Sequence, residues 1–117
     1  MIYNGEIYDS RFENITTSGT GVFWLSTVSS DDMIIIMNSK FINIENTGNS
    51  GAVAYVQGDL LSINNTYASN KATKADYGAL YVNADYAVSI NDTFIDNSAA
   101  EDYGAAYFAG TDKDAFV

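Results

Sequence analysis

The sequence contains no cysteine, no histidine and no proline. Without cysteine, the chain can form neither a disulfide framework nor a zinc site built from thiolates. Without histidine, Ser-His-Asp triads, Cys-His dyads and most transition-metal sites are excluded.

Basic residues are also scarce, because five Lys and Arg face fifteen Asp and Glu and give a formal net charge of −10. A protein that binds a phosphate backbone needs clustered Lys and Arg, so we expect no nucleic acid partner. The same deficit disfavours anionic membrane surfaces.

Long hydrophobic runs are missing as well. Residues 1–15 contain no apolar stretch of signal-peptide length, and the longest apolar run, Met33–Met37, is too short to cross a bilayer. We therefore expect neither a secretory signal nor a membrane anchor within this chain.

The 117 residues are 47% hydrophobic, which is enough for the core of one domain over residues 1–117. Asn, Ser, Thr, Gly and Tyr are abundant, and all are mediocre or poor helix formers. Short aliphatic segments such as Leu60–Asn64 and Ala87–Asn91 are punctuated by turn residues and are typical of strands. The strongest strand predictions are residues 22–28 and 34–44.

Two series of aromatic positions recur at intervals of about 26 to 31 residues. One series is Phe12, Phe41, Tyr67 and Phe94, and the other is Trp24, Tyr55, Tyr81 and Tyr107. The repeat units lie near residues 1–20, 21–50, 51–77 and 78–103, with a partial unit at 104–117.

A repeat of this length is too short for a propeller blade of about 40 residues or more, and it lacks the leucine ladder of a leucine-rich repeat. It fits one coil of an all-β, right-handed parallel β-helix, in which coils stack about 4.8 Å apart. We predict about four coils. Since neither end has a recognisable cap, we expect a segment of a longer protein or a unit that stacks end to end.

Two short boxes carry a resemblance to a known family. The first box is Gly51-Ala52-Val53, Gly78-Ala79-Leu80 and Gly104-Ala105-Ala106, and the second is Tyr67-Ala68-Ser69-Asn70 and Phe94-Ile95-Asp96-Asn97. They resemble the Gly-Gly-Ala-Ile and Phe-x-x-Asn boxes of the polymorphic outer-membrane protein repeats. The doubled glycine is absent, and Asn14 and Asn43 come one residue early. The resemblance implies a β-helical surface protein of the adhesin type.

Strand alternation assigns the side chains to faces. The residues predicted to point inward are Phe23, Ala54, Leu80 and Ala106 with Leu25, Val56, Val82 and Phe108. Trp24, Tyr55, Tyr81 and Tyr107 then form an outward aromatic strip, which either stacks on glycans or docks a partner, or shields the ladder by ring stacking. The Phe12 series is predicted to be core, and Asn70 and Asn97 are predicted to turn tight left-handed corners.

Two further sets of residues are candidate sites. Asp76 with Asp102, and Asp59 with Asp85, recur in equivalent positions, which is compatible either with Ca²⁺ or with solvated turns. We predict no cofactor, with Ca²⁺ at Asp76 and Asp102 as the weaker alternative. Asn14, Asn64 and Asn91 begin glycosylation sequons, which are either chance matches or sites of attached glycans.

Arg11 and Lys40 share a column and are the candidate bases of a polysaccharide lyase, while paired carboxylates would serve an inverting hydrolase. No other sequence feature indicates a catalytic site with these residues, so we predict that the chain is not an enzyme. Thr66 and Thr93 align, but Arg11 and Lys40 interrupt the flat Thr array that an ice-binding solenoid would need.

We therefore predict a non-catalytic extracellular segment of a cell-surface protein or fibre, structural or adhesive and glycosylated. Its expected partners are neighbouring segments stacked end to end, together with glycans or cell-surface proteins. The alternative is a carbohydrate-binding or polysaccharide-cleaving β-helix module.

Overall fold

A computed structural model describes residues 2–29, 31–48, 53–74 and 76–109. Within these ranges the chain forms strands joined by turns, with no helix. The strands are Ile2–Tyr3 (β1), Glu6–Tyr8 (β2), Arg11–Thr17 (β3), Phe23–Ser26 (β4), Ile34–Met37 (β5), Lys40–Asn46 (β6), Ala54–Gln57 (β7), Leu60–Ile63 (β8), Thr66–Ala68 (β9), Lys71–Ala72 (β10), Leu80–Asn83 (β11), Ala87–Ile90 (β12), Thr93–Ile95 (β13) and Ala106–Ala109 (β14).

The strands form three parallel sheets that the chain visits in turn. The first sheet has the order β1-β4-β7-β11-β14, and the second has the order β2-β5-β8-β12. In the third sheet β6 pairs with β3 on one side and with β9 and β10 on the other, and β9 pairs with β13. This arrangement is a β-solenoid of about four turns, which confirms the predicted fold class.

The register confirms the repeat that the sequence shows. Phe12 pairs with Phe41, Phe41 with Tyr67, and Tyr67 with Phe94. The outward series pairs in the same way on the first sheet, in the order Trp24, Tyr55, Tyr81 and Tyr107. Equivalent residues of successive turns therefore lie above one another.

The core lies between the three sheets. Leu25, Val56 and Val82 are fully buried, and Phe23, Ala106 and Phe108 pack against the same cluster while partly buried. Full burial of one such aliphatic side chain contributes about 1.5 to 3 kcal/mol. The inward assignment made from strand alternation is confirmed.

The second aromatic series is a stack of rings inside the core. Phe41 and Tyr67 are fully buried, with ring centres 5.0 Å apart and planes inclined by 7°. Phe12 stacks on Phe41 at 5.4 Å, and Phe94 stacks on Tyr67 at 4.9 Å. The prediction that this series belongs to the core is confirmed.

Left-handed residues turn two of the corners. Between the second and third sheets the left-handed position is held by Asp9, Asn38, Asn64 and Asn91, with φ between 48° and 57°. The predicted strand over residues 34–44 is therefore wrong at its centre, because Asn38 ends β5 and Ser39 separates it from β6. Asn and Asp tolerate this backbone because their short side chains bond locally.

The other left-handed column lies at the third sheet. It consists of Asn14, Asn43, Ser69 and Asp96, with φ between 52° and 57°. The prediction that Asn70 and Asn97 turn this corner is therefore wrong by one residue. The early asparagines, Asn14 and Asn43, occupy the corner itself.

Asn70 and Asn97 instead point inward and join one turn to the next. Asn70 is fully buried, its Nδ2 donates to the carbonyl oxygen of Phe41 at 3.0 Å, and its Oδ1 accepts from the backbone N–H of Ile44 at 3.1 Å. Asn97 repeats this on the next turn, bonding the carbonyl oxygen of Tyr67 and the N–H of Asn70. Each amide thus satisfies two backbone groups that the corner would leave unpaired.

Candidate functional site

The outward side of the first sheet carries a cluster of six aromatic side chains, which we call the aromatic face. Trp24, Tyr55, Tyr81 and Tyr107 belong to strands β4, β7, β11 and β14. Two further rings, Tyr77 and Tyr103, come from the turns that precede β11 and β14. All are half-buried except Tyr103, which is 52% exposed.

Strand spacing sets the geometry of the four strand residues. Tyr55 and Tyr81 stack with ring centres 4.7 Å apart and planes inclined by 9°, and Tyr81 and Tyr107 stack at 5.6 Å and 19°. Trp24 meets Tyr55 edge to face, at 6.0 Å and 85°. The three tyrosine rings therefore cover one another's faces and turn their edges outward.

Gln57 fixes the Trp24 end of the aromatic face. The indole Nε1 of Trp24 donates to Gln57 Oε1 at 3.2 Å, and Gln57 Nε2 donates to the Tyr55 hydroxyl at 3.3 Å. One amide thus links the two rings across neighbouring strands.

The glycines of the first sequence box let Tyr77 and Tyr103 join the cluster. A Cβ on Gly78 would overlap the carbonyl oxygen of Gly104, so the two turns can approach closely only without a side chain there. Tyr77 then lies 5.8 Å from Tyr103, 4.8 Å from Tyr81 and 5.0 Å from Tyr107, measured between ring centres. Tyr103 lies 4.9 Å from Tyr107.

Packing of the rings changes their acidity. Desolvation raises the pKa of Tyr77 and of Tyr81 above the usual value, and charge on neighbouring phenols would raise it further. Both hydroxyls therefore keep their protons to a higher pH than an ordinary tyrosine does. At these two residues the aromatic face carries neutral hydroxyl groups.

The sequon asparagines lie on corners and are all exposed. Asn64 and Asn91 hold the left-handed position before the third sheet, and Asn14 holds it within that sheet. Asn64 Nδ2 donates to Asn38 Oδ1 at 3.0 Å, whereas Asn14 uses its oxygen to accept from Asn43 Nδ2 at 2.8 Å. The nitrogen that a glycan would occupy is thus engaged with a neighbouring side chain at Asn64 but not at Asn14.

The paired aspartates are the candidate ligands for Ca²⁺. Among the described residues no group of three or more Asp and Glu side chains is placed to hold a metal ion. Asp59 accepts from the backbone N–H of Tyr86 at 2.8 Å, and with Asp85 it lines a cavity of about 170 Å³ at the corner between the first and second sheets. Asp76 and Asp102 lie in turns next to Tyr77 and Tyr103.

Arg11 and Lys40 pair in register on β3 and β6, and both are exposed. Arg11 is engaged on its own strand, because its Nη2 lies 2.8 Å from Glu13 Oε2. Thr66 continues the same column. The cavity beside Asp59 lies at a different corner from these two basic side chains.

Sequence reasoning missed an apolar outer face on the second sheet. Alternate residues that point away from the core include Ile35, Leu61 and Val88, while Ile90 and Tyr8 are each 44% exposed. The signal was the unbroken apolar run at residues 33–37 and the adjacent leucines Leu60 and Leu61. A strand with one solvent-exposed face would instead alternate apolar and polar residues. Tyr77 and Tyr103 were missed because their position depends on the close approach of two turns.

Comparison with protein-family models, with curated proteins and with solved structures gives no match to this chain. Within the described ranges no helix is long and apolar enough to cross a membrane.

Proposed function

We propose that this chain is a non-catalytic extracellular structural segment of a cell-surface protein or fibre, and that neighbouring segments stack on it end to end. The observation that supports the proposal is the register itself. All three sheets are parallel and continue from turn to turn, so among the described residues the outermost strands have the kind of edge that each inner strand already pairs with.

The side chains that cross from turn to turn support the same proposal. Asn70 and Asn97 bond the backbone of the turn below, and the Phe41 and Tyr55 ring columns continue across several turns. Repeated contacts of this kind stabilise a solenoid through the interactions between neighbouring turns, which suits a structural or spacing role. The boxes that resemble polymorphic outer-membrane protein repeats favour a right-handed surface protein of that type, with adhesion as its role.

The aromatic face gives less support to the alternative of a carbohydrate-binding module. Sugars stack on exposed ring faces, but Tyr55, Tyr81 and Tyr107 cover one another's faces. The polysaccharide-cleaving alternative has no comparable observation in its favour, because Arg11 is paired with Glu13 on an exposed strand.

The experiment is sedimentation of the purified chain at rising protein and salt concentration, followed by electron microscopy. We expect species larger than 12.7 kDa, because end-to-end pairing adds strands to the terminal turns. Salt should promote them, since a net charge of −10 repels other copies at low ionic strength. The particles should show a repeat of about 4.8 Å along their axis.

A matched pair of variants at Glu13 tests whether the outer edge of β3, in the third sheet, takes part in assembly. Lys40 N–H donates to Ser10 O, and since alternate residues of a strand bond to opposite neighbours, Glu13 N–H points away from β6. Glu13→Pro should abolish assembly without breaking the pairing of β3 with β6. Glu13→Ala removes the same ion pair with Arg11 and should still assemble. A chain that stays monomeric at every salt concentration contradicts the proposal.

Glycosylation is tested separately, by expression through a eukaryotic secretory pathway and mass analysis of each sequon. We expect glycans at Asn14 and Asn91 in preference to Asn64, whose Nδ2 is bonded to Asn38. A chain without glycans would contradict the glycosylation part of the proposal. End-to-end stacking would still be tested by sedimentation alone.

A further inference from the structure

The tyrosines of the aromatic face are close enough to react with one another. Tyr77 touches Tyr81, Tyr103 and Tyr107, with ring centres between 4.8 and 5.8 Å. Four phenols from two turns thus form one contact group, and the 52% exposure of Tyr103 gives a dissolved reagent access to it.

We propose that this group is an oxidative cross-linking site, in which a one-electron oxidant joins Tyr77 to Tyr107 as a dityrosine. The oxidant removes one electron from each phenol, and each hydroxyl proton passes to water. The two phenoxyl radicals form a carbon–carbon bond between ring positions next to the oxygens. The two hydrogens on those carbons then move to the oxygens and restore both phenols, so the chain loses two hydrogens in total and the oxidant gains two electrons.

The angles between rings select the pair. Coupling joins ring edges, so rings that lie flat on each other must slide apart before they can bond. Tyr55 with Tyr81 is flat at 9°, and Tyr81 with Tyr107 is nearly so at 19°, whereas Tyr77 with Tyr107 is tilted by 33°. Tyr77 lies in a turn outside the strands, so its ring can adjust while Tyr107 stays on β14.

The protonation state agrees with this chemistry. A phenol with the usual pKa of 10.0 is protonated at neutral pH, and desolvation raises the pKa of Tyr77 and of Tyr81 further, so no standing negative charge on these two rings opposes their approach. The tilted contacts of Tyr77 with Tyr81 and of Tyr103 with Tyr107 stay within one turn. Only the Tyr77–Tyr107 bond would tie β14 to the turn before β11 through a tilted pair.

Such a bond would close a loop from residue 77 to residue 107 in a chain that has no cysteine for a disulfide. A cross-link of this kind restricts the unfolded chain and stabilises the folded one. The inference is independent of end-to-end assembly, because the two rings belong to one chain.

The test is oxidation of the dilute chain by a photoactivated ruthenium tris-bipyridyl complex with persulfate, followed by isolation of the monomer. Cleavage before aspartate separates residues 76–84 from residues 102–111. We expect these two peptides to be joined, with the loss of two hydrogens and with dityrosine fluorescence. Fragmentation should place the bond at Tyr77 and Tyr107, and the cross-linked monomer should melt at a higher temperature.

Variants supply the controls, after circular dichroism has shown that they fold. Tyr77→Phe and Tyr107→Phe keep the ring contacts but should lose the joined peptides. Tyr8→Phe and Tyr86→Phe should leave the yield unchanged, because those exposed rings touch no other aromatic ring among the described residues.

Three results would overturn the proposal. One is an equal yield from folded Tyr77→Phe, and another is an equal yield from the chain unfolded in urea. The third is coupling in the monomer that involves Tyr8 or Tyr86 as often as Tyr77.

Discussion

The third sheet is built differently in the N-terminal turns and in the C-terminal turns. In both, a left-handed residue turns the chain, and the next residue points inward. That inward residue is Ile15 or Ile44 in the N-terminal turns and Asn70 or Asn97 in the C-terminal turns. The N-terminal strands β3 and β6 run unbroken for seven residues, whereas the C-terminal strands β9 and β13 have three.

The difference shows two ways to satisfy the backbone hydrogen-bonding groups at the same corner. Through β3 and β6 the backbone continues to pair beyond the left-handed residue, so an isoleucine can fill the core there. Beyond β9 and β13 the pairing is interrupted, and the buried amide supplies the missing bonds to the turn below. Ile44 is where the two kinds of corner meet, because its N–H bonds to Asn70.

The largest expected effect comes from removing the amide at this junction. Asn70→Ala would leave the carbonyl oxygen of Phe41 and the N–H of Ile44 buried without partners. At about 1 to 3 kcal/mol for each of these two groups, we expect a loss of about 2 to 6 kcal/mol in the free energy of unfolding. Urea denaturation measures it.

Asn97→Ala is the matched control, because Asn97 is only half-buried and water can replace part of its bonding. It should lower the free energy of unfolding clearly less than Asn70→Ala does. Equal losses would show that burial does not set the strength of these bridges.

The second prediction exchanges the two kinds of corner. Ile44→Asn places an amide against a turn whose backbone already pairs, so the new polar group has no unsatisfied partner there. With the lost apolar burial, we expect a destabilisation of about 2 to 4 kcal/mol in urea denaturation. Ile44→Leu should cost much less, and an unchanged stability for Ile44→Asn would break the distinction between the turns.

The third prediction uses the aromatic that differs between the turns, since Tyr67 stands where Phe12 and Phe41 stand below it. Burial raises the pKa of Tyr67 far above its usual value of 10.0, a hydrogen bond with Ser62 opposes the rise, and the charge of Asp92 adds to it. The unfolded chain ionises this phenol above pH 10 while the folded chain does not. Its stabilising contribution is therefore complete below pH 10 and falls by about 1.4 kcal/mol per pH unit above it.

Denaturation between pH 9 and 12 checks this prediction. Tyr67→Phe should reduce the loss of stability at alkaline pH without abolishing it, because the pKa values of Tyr77 and Tyr81 are also raised. An unchanged pH dependence in Tyr67→Phe would contradict the burial argument.

The smallest expected effect concerns the left-handed residues themselves. Ser69 has a φ of 57°. Left-handed backbone of this kind is less favourable for a serine than for the asparagine at position 43, whose side chain can form local hydrogen bonds. Ser69→Gly should stabilise the chain by about 0.5 to 1 kcal/mol, while Asn43→Gly should change little or destabilise because it also removes a bond to Asn14. The melting temperatures of the two variants measure these effects. Equal changes in melting temperature would contradict the expected difference between Ser69 and Asn43.

Much of this architecture is predictable from the sequence. The spacing of Phe41 and Tyr67, and of Tyr55 and Tyr81, predicts the register because a parallel solenoid stacks equivalent positions. Strand alternation also separates the inward Val56 from the outward Tyr55. Periodicity carries this information because it repeats along the chain.

The rest depends on contacts between turns. The preference of asparagine for left-handed backbone predicts the corner at Asn70, whereas the structure has it at Ser69, because that preference does not reveal that the Asn70 amide bonds the carbonyl oxygen of Phe41. Tyr77 joins the aromatic face only because Gly78 and Gly104 approach closely. Such positions follow from distances across turns, which single-residue preferences do not encode.

The most direct test of the account is the hydrogen exchange of the Asn70 side-chain amide, measured by nuclear magnetic resonance on the labelled chain. The amide should exchange slowly and show contacts to Phe41 and Ile44 of the turn below, whereas the exposed Asn83 amide should exchange quickly. An Asn70 amide that exchanges as fast as that of Asn83 would contradict the claim that buried side chains bind each turn to the next.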